Sequence, residues 1–338
     1  MQNTELPTLN WKSTESQRIE IIPEKLSELD SIIKSKCNNI NGIIVVKKGD
    51  IVFENYYRGY GPNDIHHVAS VTKSILSALI GIAIKKEYIK SIDQKVLDFF
   101  PEYISDTDNE NKQKVTIRHL LTMTAPYPYD DWNEPLDKLC TSHDWVKYTL
   151  DMLGQGGNIG GFKYSTAGSH LLSAIITRST GKSALEFANK YLFGPIGMRI
   201  IPQYKMESFS YDDLFGKNVR GWVTDPHGNS TGGWGLTLTP RDMVRFGLLY
   251  LNYGFWNNQE IIPKSWIEES TASNKNNYGY LWWLFKENTV FAYAAMGDGG
   301  NTICCIPSKN MVVSIVSEFM INPYDRWKLI KEHILPIF

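Results

Sequence analysis

The chain has 338 residues, 42% of them hydrophobic and 21% charged, with a formal net charge of −1. This describes a globular protein long enough to bury a core and shelter a site. The near-neutral charge excludes an electrostatic pull toward nucleic acid or an anionic membrane. Four cysteines, at 37, 140, 304 and 305, fit neither a zinc nor a redox spacing and read as buried thiols of a reducing compartment. The N-terminus shows no basic start followed by an apolar run. The most apolar stretch, 75–84, is about half the length a membrane span requires. A cytoplasmic protein is expected.

In chain order, Pro23 opens a helical pattern with Leu26, Leu29, Ile32 and Ile33 on one face. "NGIIVVKKGDIVFENYYRGY" holds two β-rich runs around a Lys-Gly-Asp turn, a hairpin signal. "HVASVTKSILSALIGIAI", read from Val71, is an almost wholly apolar helix containing one cation, Lys73. "SIDQKVLDFFPEY" is interrupted at Pro101, "KVTIRHLLTMT" predicts a short amphipathic helix, and "APYPYDDWNEP" predicts a loop. "YSTAGSHLLSAIITRSTG" and "SALEFANKYLFGPIGM" predict helices closed by Gly181 and Gly194. Residues 205–235 are polar, Gly-rich and irregular. "TPRDMVRFGLLYLNYG" is a helix with a Thr cap and proline at its first position. "YGYLWWLF", "VFAYAAM", "NTICCIP" and "MVVSIVS" read as short strands, with Cys304 and Cys305 on opposite faces, and a final helix runs from Pro323 to about His333. The expected fold is α/β of the α+β kind, an antiparallel sheet flanked by helices. Residues 1–68 and 230–338 would form the sheet domain, residues 69–229 a mainly helical insertion, and the cleft between them the site.

Ser70-Val71-Thr72-Lys73 is an S-x-x-K pattern whose ends share a helix face. A serine hydroxyl needs a neighbouring base to act as a nucleophile, and a buried lysine can accept a proton or pair with an anion. The pattern recurs at Ser31–Lys34 and Ser179–Lys182, where Lys34 reaches water and Gly181 breaks the helix. Only Ser70 lies in an apolar helix, with no acidic residue within one turn of Lys73. "FKYSTAGSHLL" adds Tyr164 at a loop-to-helix transition. "AAMGDGGNTICCIP" adds glycines that let a substrate approach backbone N–H groups. Gly228–Gly232 matches G-x-S-x-G but lacks the strand before and helix after that an α/β-hydrolase elbow requires, so these glycines are expected to shape a loop near the cleft. His66-His67 has no metal-binding spacing around it, and neither a metal nor a cofactor is expected.

Taken together, these signals resemble the serine β-lactamase-like superfamily, which includes class C β-lactamases, D-alanyl-D-alanine peptidases, esterases and 6-aminohexanoate-dimer hydrolases. The resemblance extends over roughly residues 40 to 320 through "VTIRHLLTMT", "GWGLTLTPRDMVRFGLLYL" and "YGYLWWL". It implies Ser70 as the acylated nucleophile, Lys73 as its partner, and Tyr164 as general base and later proton donor. It also implies an oxyanion hole of the Ser70 and Gly300 backbone N–H groups. Thr166 stands where the lactamases have asparagine, and Gly297-Asp298-Gly299 where they have Lys-Thr-Gly. The cation that would hold a substrate carboxylate is therefore absent, and an uncharged small ester or amide fits better. Thr166, Asp298, Gly299, Asn301, Trp132 and Tyr129 are the expected substrate contacts. The partner is then a small-molecule ester, amide or lactam, with no nucleic acid and no membrane. Two other readings stay open: a β-lactamase or D-alanyl-D-alanine carboxypeptidase, and a weakly catalytic ligand-binding sensor of the same fold.

Overall fold

The computed structural model of the chain describes residues 23–104, 109–129, 133–208, 210, 218–287 and 289–338. Helix α1 (Pro23–Lys36) precedes the hairpin β1 (Ile40–Lys47) and β2 (Asp50–Tyr56). Lys48 and Gly49 both turn through positive φ between them, the geometry of a two-residue hairpin. Helix α2 (Val71–Lys85) follows, then short helical pieces, α3 (Thr166–Thr180) and α4 (Pro240–Leu251). Four strands follow, β3 (Trp283–Glu287), β4 (Val290–Gly297), β5 (Asn301–Ile306) and β6 (Met311–Ser317), before a last helix. These form one antiparallel sheet in the order β2-β1-β6-β5-β4-β3, which joins the two ends of the sequence as expected.

Alternation along the strands divides the core. Ile43, Val45, Cys304 and Val313 face α1 and the C-terminal helical turn, while Ile44, Val46, Cys305 and Val312 face α2 and the other helices. The two adjacent cysteines thus lie on opposite faces, and all four thiols are buried and unbridged. Residues Val71–Ala83 of α2 are all buried. That all-round burial explains why the helix is apolar on every side rather than amphipathic. Helix α3 closes at Gly181, whose left-handed backbone suits glycine.

Two boundaries differ from expectation. The strand predicted from Tyr278 begins at Trp283. Before it, Tyr280 and Leu281 give their N–H groups to Ser270 and Leu121, so the segment is tied to neighbouring helices instead of to the sheet. The last helix starts at Arg326, where Asp325 caps Lys328, and not at Pro323. No helix among the described residues is long and apolar enough to cross a membrane.

Candidate active site

Ser70 stands at the start of α2, where serine ordinarily caps the helix with its own hydroxyl. Here the side chain makes no cap bond. Its Oγ lies 2.9 Å from Lys73 Nζ instead. The preceding residue, Ala69, holds a left-handed φ of 48°. That is a costly conformation for alanine and of the kind that clusters at functional sites.

Lys73 is 1% exposed. Its ammonium also reaches Thr166 Oγ1 at 3.1 Å and the Gly233 carbonyl at 2.9 Å. Three acceptors surround it, as many as an ammonium has protons, which offsets much of the cost of burying the charge. The ring of Tyr164 lies beneath, with its centroid 4.7 Å from Nζ. Ser70, Lys73, Tyr164 and Thr166 are therefore brought together from two helix starts, 93 residues apart at the Lys73–Thr166 bond. Gly233 must be glycine for this to happen. A Cβ there would fall 2.5 Å from Thr166 Cγ2 and 3.3 Å from Lys73 Nζ. Only a neighbouring loop had been anticipated from the Gly228–Gly232 run. Ser230 itself is buried, its Oγ accepting from Leu185 N–H, with no elbow around it.

The end of β4 meets the nucleophile at Gly297. A Cβ on Gly297 would lie 2.3 Å from Val68 O and 2.9 Å from Ser70 N. Gly299 and Gly300 turn away into the β4–β5 connection. Their carbonyls are held by Asn39 and by the buried guanidinium of Arg326. The strand residue packed against Ser70 is thus Gly297, whereas Gly300, the expected oxyanion donor, lies in the connection that follows. The Asn301 amide is spent on Asp298 O and on Ser317 N–H, while the Asp298 side chain is exposed. Tyr129, an expected substrate contact, is 9% exposed, donates to Glu134 at 3.0 Å and is stacked on Tyr127. Trp132 lies outside the described residues.

Glu134 was not anticipated. Its two carboxylate oxygens accept the N–H groups of Thr166 (2.8 Å) and Ala167 at the start of α3. Burial pushes its carboxyl above the usual value, while those two N–H groups, Lys73 and Tyr129 oppose the shift. No sequence spacing links it to α3, because the loop that carries it is placed only by tertiary folding. An aromatic wall adjoins Tyr164. Trp283 is stacked at 5.7 Å, Tyr278 stands edge-on at 6.0 Å, and Phe162 packs against both Tyr278 and Trp283. His67 joins the Ser70 loop to the Gly233 loop, with the N–H groups of Ala69 and Gly235 at 3.3 and 3.2 Å from its two ring nitrogens. Burial holds His66 and His67 at a pKa of about 4. Among the described residues, no group of three or more His, Cys, Asp or Glu is arranged to hold a metal ion.

The profile of the Beta-lactamase family matches residues 39–328. The 6-aminohexanoate-dimer hydrolase of Paenarthrobacter ureafaciens is 20% identical, over 94% of this chain and 82% of its own length. A provisionally assigned 6-aminohexanoate-dimer hydrolase from Bacillus anthracis superposes with a TM-score of 0.72 at 22% identity, over 91% of this chain and 81% of that one. A penicillin-binding protein from Bacillus halodurans gives 0.68 at 18% identity, over 92% and 99%.

Proposed function

The chain belongs to the β-lactamase family, and from that premise we propose that it hydrolyses small uncharged esters or amides through an acyl-enzyme on Ser70. The observation that carries this reading is the hydroxyl of Ser70, free of any capping role and 2.9 Å from the buried Nζ of Lys73. The family comprises serine hydrolases acting on amides or esters, and the related Paenarthrobacter protein is named a 6-aminohexanoate-dimer hydrolase.

In this reading the Lys73–Tyr164 pair takes the Ser70 proton as Oγ attacks the substrate carbonyl. The N–H of Ser70 and the N–H that follows Gly297, at Asp298, stabilise the oxyanion. Tyr164 protonates the departing alcohol or amine. Water, deprotonated by the same pair, then attacks the acyl carbon and frees Ser70. The leaving side of the substrate meets Trp283, Tyr278 and Phe162, which suits an apolar group. Residues 295–300 read Ala-Met-Gly-Asp-Gly-Gly and supply no cation for a substrate carboxylate, which argues against lactam antibiotics and peptide termini. The division into a sheet part (1–68 and 230–338) and a helical part (69–229), with the cleft between them, belongs to the same proposal.

The test compares turnover of a p-nitrophenyl alkanoate with that of a chromogenic cephalosporin, with Ser70→Ala as control. Ser70-dependent hydrolysis of the ester at the higher kcat/KM is expected. Faster Ser70-dependent turnover of the cephalosporin overturns the substrate assignment, and undiminished ester turnover in Ser70→Ala overturns the nucleophile.

A further inference from the structure

We propose that Glu134 is a positioning residue of this site: from the start of α3 it sets the protonation of the Lys73–Tyr164 pair, and with it the pH range in which Ser70 is activated. The inference rests on the Ser70 reading above, and the two fail in different ways.

The geometry is a short relay. Glu134 Oε2 accepts the Thr166 N–H at 2.8 Å, and Thr166 Oγ1 accepts from Lys73 Nζ at 3.1 Å. A single residue thus separates the carboxylate from the cation. Glu134 also accepts from the Ala167 N–H and from the Tyr129 hydroxyl. With the Ser165 hydroxyl at 3.5 Å, four donors face one carboxyl group, which suits the ionised form. Helix α3 already has an ordinary cap, since Ser165 Oγ accepts the Gly168 N–H at 2.9 Å. Glu134 takes two further N–H groups that the helix start leaves open, and it does so with a charge, where a neutral amide oxygen would satisfy one of them without the desolvation cost.

The surroundings of Glu134 favour coupling to Lys73. Facing it are Tyr129 and, behind that ring, Tyr127 from its own loop. Cys140 faces it from the helix at Leu136–Thr141, and Ser165 and the first N–H groups of α3 from the other side. Burial and the nearby carboxylate push both phenols and the thiol up, so they remain neutral. The cation that acts on Glu134 is Lys73. A fixed negative charge near the pair favours the ammonium and disfavours the phenolate, so it raises the pKa of both groups. Removing it lowers both, whichever of the two carries the proton at rest.

Glu134→Gln retains an acceptor and removes the charge. Both limbs of the kcat/KM–pH profile for the p-nitrophenyl ester are expected to move to acid by roughly 0.5–1 unit, with KM little changed. A purely structural role would reduce the amplitude and leave the limbs in place. Limbs unmoved in a folded Glu134→Gln enzyme that still depends on Ser70 overturn this inference alone. Loss of Ser70 dependence would instead overturn the reading beneath it. Should Glu134→Gln fail to fold, Ser165→Asp keeps a capping side chain and adds a negative charge at the same helix start. Both limbs must then move to alkaline by a similar amount, and unmoved limbs overturn the inference.

Discussion

Gly297→Ala probes the contact between β4 and the nucleophile. Gly297 has an ordinary extended backbone, with φ −138° and ψ 157°, so alanine introduces no dihedral strain. The obstacle is space. The new Cβ would sit 2.3 Å from Val68 O and 2.9 Å from Ser70 N, whereas real Cβ atoms essentially never approach within 3.0 Å. Both obstructing atoms are backbone, and the loop that carries them is clamped by His67 and by the buried start of α2. Strand and loop must therefore part by at least about 0.7 Å. That displacement falls between the two proposed oxyanion donors. A misplacement of about 1 Å costs on the order of 10²-fold in rate, equivalent to about 2.7 kcal/mol of barrier. The assay is kcat/KM for a p-nitrophenyl ester, with Tm measured alongside by circular dichroism. A fall of about 10²-fold with a mainly native fold is expected. Wild-type kcat/KM with an unchanged Tm would show that the end of β4 does not build the oxyanion site.

Tyr164→Phe removes the proposed acid and base of both half-reactions and is expected to lower kcat by about 10²–10⁴-fold with the fold intact, read in steady-state ester hydrolysis; near-wild-type kcat would refute the role. Trp283→Ala opens the wall beside Tyr164 and is expected to raise KM for aryl esters by roughly three- to tenfold, and less for methyl esters, since an aromatic pairing contributes about 0.5–1.5 kcal/mol; equal effects on both would separate the wall from the leaving group. Acid should unfold the protein through His66 and His67. Burial lowers their pKa from 6.5 to about 4, so the unfolded chain binds more protons between those values. Stability is then complete above about pH 6.5 and falls toward pH 4 by up to about 3 kcal/mol per histidine. Urea midpoints that do not differ between pH 7 and pH 5 would contradict this.

Local pattern alone determined a good deal of this protein. Hydrophobic period and turn residues located α1, the Lys48-Gly49 hairpin, α2, α3 and the last three strands, because each is governed by contacts within a few residues. The Ser70–Lys73 approach was legible for the same reason, since positions three apart on a helix share a face. The all-apolar character of α2 also announced that Lys73 would be buried. Tertiary structure decided what surrounds that pair. Gly233 O and Thr166 Oγ1 reach Lys73 from 160 and 93 residues away, and no spacing encodes such contacts. That Gly297 packs against Ser70 depended on where β4 ends, which is set by its pairing with β5 and by Arg326 holding the turn. The placement of Tyr129 and Glu134 was set by tertiary packing for a similar reason. The tyrosine is buried in the core and the glutamate reaches the start of α3. Chemistry carried on one helical turn can be read from the chain, whereas the electrostatic setting of that chemistry exists only once distant backbone has packed around it.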